Sequence, residues 1–244
     1  MTKSIINDSR ILESFVSVYQ KASQRKNQVQ SEIAGVKFTS LPKVFSIVDF
    51  PEGTVVSTHI FAQALPNIVR NLSFLEVGSG TGILSVVVAL NSTNPENILA
   101  TDINPGAVAN TLLNFEKYKL PCKVRQSDVF DQVLKGEKFD FIFWNHPFSD
   151  LDISAFGLNQ AIRLGGFDPG YVALEKYFRD ANKHLSPNGK ILLGTNVEVS
   201  NWDKILDLAG KYDFLNEPNI IYSQKTPSRS NLQIMTETVI VEFS

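Results

Sequence analysis

At 244 residues the chain has length for one domain plus an appendage, and for a sizeable core. A net charge of -2 sets up no global attraction to nucleic acid or anionic lipid, and no apolar run approaches the roughly 20 residues that span a bilayer. Cys122 is the only cysteine, which excludes an internal disulfide and a cysteine-built zinc site; with no secretory segment after Met1, a cytoplasmic protein is expected.

Taken in chain order, Ser9 to Ile33 reads as a helix, with Ile11, Leu12, Phe15, Val18 and Tyr19 on one face. Lys21, Arg25 and Lys26 read as a solvated face rather than a docking patch. After Gly35 come the strand-like runs Val36–Phe38 and Val44–Val48, then a turn at Pro51-Glu52-Gly53. Thr58–Leu65 reads as a helix with His59 on its surface. Residues 1–49 are therefore expected to form an N-terminal helical extension, and 50–244 the main domain.

Phe74–Val77 reads as a buried strand carrying Glu76, followed at once by Gly78, Ser79, Gly80 and Gly82 and then a helix from Ile83 to Leu90. Strand, glycine turn and helix open the nucleotide site of a doubly wound α/β sheet. The turn does not fit a nicotinamide dinucleotide, because Ile83 stands where the G-x-G-x-x-G fingerprint has its third glycine. Glu76 beside a pyrophosphate would set two anions face to face, so a cationic ligand suits it better.

Asn97–Asp102 reads as the second strand and places Asp102 about twenty residues past the turn, where a carboxylate can accept from ribose hydroxyls. Pro105 starts the next helix, and the alternative for Asp102 is a helix cap. Cys122–Ser127 is a third strand, with Cys122 as core, ending at Asp128-Val129-Phe130. Phe139–Trp144 is a central strand that delivers Asn145-His146-Pro147-Phe148 to the sheet edge. The long connection 149–169 reads as a lid. Helices at Tyr171–Leu185 and Trp202–Ala209 flank a strand at Ile191–Gly194. A hairpin around Ile220–Tyr222 and Met235–Phe243 closes the sheet, and Lys225 and Arg229 sit in its solvated connector.

Glu76-Val77-Gly78-Ser79-Gly80-Thr81-Gly82 and Asp102-Ile103-Asn104-Pro105-Gly106-Ala107-Val108 resemble the first two motifs of class I S-adenosyl-L-methionine (SAM) methyltransferases. Asn145-His146-Pro147-Phe148 resembles the (N/D)-P-P-(Y/F) motif of members that modify planar nitrogens, among them release-factor glutamine methyltransferases and RNA or DNA base methyltransferases. The run Leu164–Gly170 is similar to a pattern of the glutamine enzymes, and Leu185-Ser186-Pro187-Asn188-Gly189 to a frequent feature before a late strand.

The resemblance implies a Rossmann-like sheet of seven strands with the last antiparallel. It implies SAM as cofactor, S-adenosyl-L-homocysteine (SAH) as product, and no metal. In this comparison Glu76, Gly78, Ser79, Gly80 and Gly82 form the cofactor turn, and Asp102 holds the ribose. Ile103 packs on adenine, Asp128 accepts from its amino group, and Val129 or Phe130 packs on the ring. Thr58 helps close the pocket.

The Asn145 side-chain oxygen and the His146 carbonyl would bind the two hydrogens of a poorly nucleophilic amide or exocyclic amine and align it for in-line attack. Pro147 would stiffen the turn and Phe148 offer a stacking face. The family usually has proline where His146 stands, and the change adds a titratable ring that could face substrate. The expected acceptor is a macromolecule: a protein glutamine, as in a release factor, or an RNA or DNA base. A SAM-binding regulatory subunit without turnover is the remaining alternative.

Overall fold

The computed structural model describes residues 8–52, 54–214, 217–227 and 235–244. Helix α1 spans Ser9–Gln24 and buries Ile11, Val16, Tyr19 and Ala22. It stops well short of Ile33, because the polar run that follows offers no apolar face to hold further turns. Val29–Ile33 instead forms strand β1, paired antiparallel with β2, Val36–Ser40. Between them Ala34 and Gly35 both take positive φ, 50° and 76°, the two-residue turn that matches strand twist. Val44–Val48, expected as a strand, is irregular and runs into a single 3-10 turn at Ile47–Asp49. There Asp49 accepts from the Ser46 N–H at 3.0 Å, turning the backbone away from any ladder.

The remaining elements follow in the expected order: α2 (Ser57–Val69), β3 (Phe74–Val77), α3 (Ile83–Leu90), β4 (Ile98–Asp102), α4 (Pro105–Lys117), β5 (Lys123–Gln126) and β6 (Phe139–Asn145). Then come the short α5 (Gln160–Arg163), α6 (Val172–Ala181), β7 (Leu185–Asn196), α7 (Trp202–Lys211), β8 (Asn219–Pro227) and β9 (Met235–Phe243). The large sheet has the order β5-β4-β3-β6-β7-β9-β8. Strands β3 to β7 pair in parallel, and β9 lies antiparallel between β7 and β8. This is the seven-stranded Rossmann-like arrangement. The strand order reverses between β3 and β6, and such a switch point opens a crevice at the carboxyl ends of the strands.

Both faces of the sheet are buried, which is why β3 and β6 read as nearly unbroken apolar runs. Phe74, Phe143, Leu192 and Ile240 pack under α2 and α3, whereas Ile142, Trp144, Leu193 and Val241 pack under α6 and α7. No helix of the described residues is long and apolar enough to cross a membrane.

Residues 9–49 are fastened to this sheet by side chains. Asn114 and Asn110 of α4 accept from the Thr39 and Leu41 N–H groups at 2.9 and 2.7 Å. Arg25, expected on a solvated face, is largely buried. Its guanidinium donates to Asp49 at 3.0 Å and to the carbonyls of Ser40, Leu41 and Val44. Ser40 is the last residue of β2, Leu41 and Val44 lie past its end, and a five-donor group gathers all three carbonyls. Lys21 and Lys26 remain exposed, as expected. Arg229 of the β8–β9 connector lies outside the described residues.

Candidate active site

At the carboxyl ends of β3, β4 and β6 lies a cavity of about 210 Å³. The glycine turn forms one wall. Gly78 and Gly82 are packing glycines with φ of 65° and 77°. A Cβ on Gly78 would stand 2.6 Å from the Trp144 indole nitrogen, and one on Gly82 would stand 2.7 Å from Thr111. Gly80 differs: the nearest atom to its missing Cβ is the Phe45 carbonyl at 3.9 Å, so its backbone faces open space. Ser79 is fixed by a 3.0 Å hydrogen bond between its hydroxyl and that of Thr111.

Glu76 is buried at the base of the turn. One of its oxygens accepts from both the N–H and the hydroxyl of Ser85 in α3. Burial outweighs those bonds and pushes its carboxyl up to about 8, with the nearby Asp102 adding to the rise. Asp102 has its own carboxyl raised by burial. Its two oxygens accept from the Gly80 and Asn104 N–H groups, each at 2.8 Å. It does not cap α4; Asn104 does, accepting from the Gly106 N–H at 2.8 Å.

Ile103 is 45% exposed at the rim and Thr58, in the first turn of α2, also lines the cavity. Val129, at φ 51°, lines it too, whereas Phe130 is in the core against Tyr177. The Asp128 carboxylate pairs with Lys176 at 2.9 Å, so it reaches the cavity already held by a cation.

Asn145, His146, Pro147 and Phe148 border the same cavity from the end of β6. The expectation that the His146 ring faces substrate is corrected. The ring is buried between Trp144, Phe148 and Tyr171, and its Nε2 lies 2.9 Å from the Thr195 hydroxyl. Burial pushes it down to about 3, so it is a neutral imidazole at physiological pH.

Sequence reasoning missed part of the wall. Phe15 and Tyr19 of α1, and Phe45 of the loop after β2, line the cavity opposite the sheet. Tyr19 stacks on Phe45 with centroids 4.5 Å apart and planes 3° from parallel. The lid's Gly165 and Gly166 lie flat on these rings: a Cβ on Gly166 would fall 1.7 Å from the Tyr19 hydroxyl oxygen. The only available signal was the apolar stripe of α1, which equally describes a core-facing helix. Trp144, expected only as the end of the central strand, also borders the cavity with its indole beside Gly78.

The acidic side chains of the wall are Glu76, Asp102, Asp128 and Asp168. Among the described lining residues there is no lysine or arginine. An acidic wall, an oriented Asp102 and a backbone open at Gly80 fit a ligand that carries an ammonium, a sulfonium and a ribose.

The family described as methyltransferase small domain matches residues 35–221. The chain is 28% identical over 180 residues to the ribosomal RNA small subunit methyltransferase C of Mannheimia succiniciproducens, covering 74% of this chain and 47% of that protein. It is 29% identical over 195 residues to the ribosomal protein uL3 glutamine methyltransferase of Francisella tularensis, covering 75% and 60%. The chain thus spans about half of the curated relatives it matches. Its fold is similar to that of a T. thermophilus 16S rRNA N2 methyltransferase solved with AdoMet and guanosine, at a TM-score of 0.56 and 19% identity over 88% of this chain and 50% of that one.

Proposed function

The chain belongs to the methyltransferase small domain family, and on that premise we propose that it is a SAM-dependent N-methyltransferase acting on the amide nitrogen of a protein glutamine. The supporting observation is the charge of the cavity. A nucleic-acid acceptor makes half or more of its contacts through phosphate and sugar, which calls for cations near the mouth. The described residues that line this cavity include no lysine or arginine. A neutral amide meets no such conflict.

In this reading Glu76, Gly78, Ser79, Gly80 and Gly82 hold the amino-acid end of the cofactor. Asp102 holds the ribose, Ile103, Asp128 and Val129 hold the adenine, and Thr58 closes the pocket. When bound, SAM supplies an electrophilic methyl group and is released as SAH. Asn145 Oδ1 and the His146 carbonyl oxygen accept the two N–H groups of the amide and so aim its nitrogen, the kind of positioning that carries much of a transfer reaction. Phe148 gives the planar amide a face, and Pro147 stiffens the turn between them. As the sulfonium becomes a neutral thioether the methylated nitrogen gives up one proton to solvent, and the buried, neutral His146 ring does not take it.

A second reading, an RNA base amine, draws support from the aromatic wall. Phe15, Tyr19, Phe45 and Phe148 offer more flat surface than an amide uses, and one relative is a ribosomal RNA methyltransferase. Labelled-methyl transfer from SAM into whole-cell lysate, split afterwards by protease and ribonuclease, separates the two. Label lost to protease supports the glutamine reading; label lost to ribonuclease replaces it with the base reading. SAM binding with no label in either fraction would point to a regulatory subunit.

A further inference from the structure

His146 and Phe148 flank the proline of the Asn145–Phe148 turn, and both are tied to the same neighbouring loop. The His146 Nε2 lies 2.9 Å from the Thr195 hydroxyl at the end of β7. That hydroxyl lies 2.7 Å from the Ser200 hydroxyl, and the next residue along the chain, Asn201, reaches the Tyr171 phenol through its backbone. The Tyr171 O–H donates to the Phe148 carbonyl at 2.6 Å, and its oxygen accepts from the Asn201 N–H at 3.0 Å. The path therefore runs from residue 146 out through the β7–α7 loop and back to residue 148. All four side chains are buried: Thr195 and Tyr171 are fully enclosed, and His146 and Ser200 are nearly so.

Tyr171 is held unusually firmly for this task. Its backbone is left-handed, at φ 54° and ψ 40°, where a bulky residue is strained. The strain persists because the ring is packed against His146 at 5.7 Å and the phenol is committed at both its donor and acceptor positions. Asp168, at the lid's end, accepts from the Ala173 and Leu174 N–H groups at 3.1 and 2.9 Å and so fixes the start of α6 just after Tyr171.

The geometry points to a positioning role for His146, Thr195, Ser200 and Tyr171: their hydrogen bonds, joined through the Ser200–Asn201 backbone, form a circuit that holds the Asn145–Phe148 turn in its attack geometry and supplies the constraint that a second proline would otherwise give. Proline limits a turn covalently by fixing its own φ. This circuit limits it from outside, by fixing the side chain at 146 and the carbonyl at 148. The role rests on the methyl-transfer reading above, since it acts through the Asn145 oxygen and the His146 carbonyl.

Two shape-preserving variants test it: Tyr171→Phe and Thr195→Val, alone and combined. Each is assayed for transfer to the acceptor fraction that wild type labels, with SAH affinity measured alongside. Each single variant is expected to lower kcat about 10-fold, since small displacements of a reacting group are costly. Acceptor KM and SAH affinity should stay within about twofold. The double variant should lose no more than the deeper single one, because a circuit is opened only once, and Thr195→Ser should restore the rate.

Unchanged kcat overturns the proposal. So does a multiplicative loss in the double variant, or a parallel loss of SAH affinity, which would mark general damage. A histidine nitrogen spectrum gives a readout independent of turnover. In wild type His146 should show one neutral tautomer, and Thr195→Val should mix the two. If wild type methylates nothing, the methyl-transfer reading fails on its own, and an unaltered tautomer in Thr195→Val overturns the circuit.

Discussion

Arg25 and Asp49 form an ion pair at 3.0 Å with side chains 10% and 1% exposed, joining the end of α1 to the loop that carries Phe45 over the cavity. Burial raises the Asp49 carboxyl even with the guanidinium beside it. Removing the cation therefore leaves a costly group behind. Arg25→Met should destabilise the fold by about 3–5 kcal/mol, the range for breaking a buried pair, and should weaken SAH binding. Chemical denaturation with and without SAH reads both effects. A variant as stable as wild type would show that the loop is held by other means.

Asn145→Ala should leave SAH affinity within a few-fold and lower kcat by roughly 10²–10³-fold, because one of the two acceptors that aim the nitrogen is gone. Calorimetric SAH titration beside a transfer assay separates the two effects. Turnover at the wild-type rate would remove Asn145 from the mechanism.

Glu76 gives a pH dependence with a definite sign. Its folded-state carboxyl lies at about 8, above the value near 4.5 of an exposed glutamate. The folded protein thus holds a proton that the unfolded chain has lost. Stability carried by this group is complete below pH 4.5 and declines as pH rises toward 8. Glu76→Gln should flatten that decline and raise the melting temperature at pH 8. A bound cation favours the ionised carboxylate, so SAM should bind more tightly as pH rises from 6 to 8, with a proton released. Calorimetry in buffers of different ionisation enthalpy counts that proton; none released would contradict this account.

The lid and the first helix are mated at Gly166 and Tyr19. Gly166→Ala forces a Cβ into the phenol, which cannot retreat because its ring is stacked on Phe45. The variant should transfer methyl groups at least about tenfold more slowly. Tyr19→Ala in the same chain should recover part of the loss by making room. Equal losses in the single and double variants would show that the contact is not what limits the lid.

The parallel sheet and its cofactor edge were legible in the sequence because each of β3, β4 and β6 carries, at or next to its carboxyl end, a residue whose chemistry differs sharply from its apolar run: Glu76, Asp102 and Asn145. The N-terminal fifty residues were legible only in part. The stripe Ile11, Phe15, Tyr19 marks a helix with a buried face but not what covers it, and the cavity it closes is assembled by tertiary packing. Arg25 looks like any basic residue in a polar run; only the three carbonyls folded around it make it a clamp. The Ala34-Gly35 turn was the available sign of a hairpin, and it was outweighed by the apparent continuity of the helix. His146 was visible as a departure from the family pattern, whereas Thr195, Ser200 and Tyr171 lie far from it in sequence and meet it only in the fold.

The contact between Trp144 and Gly78 has an optical consequence. The chain contains two tryptophans, and Trp202 sits apart on α7. The Trp144 indole forms part of the cavity wall directly beneath the glycine turn. Anything that fills the space above that turn changes the polarity around one of two emitters. The protein thus carries a built-in fluorophore at its cofactor edge, and in a Trp202→Phe background occupancy can be followed by emission alone, without a label or an acceptor.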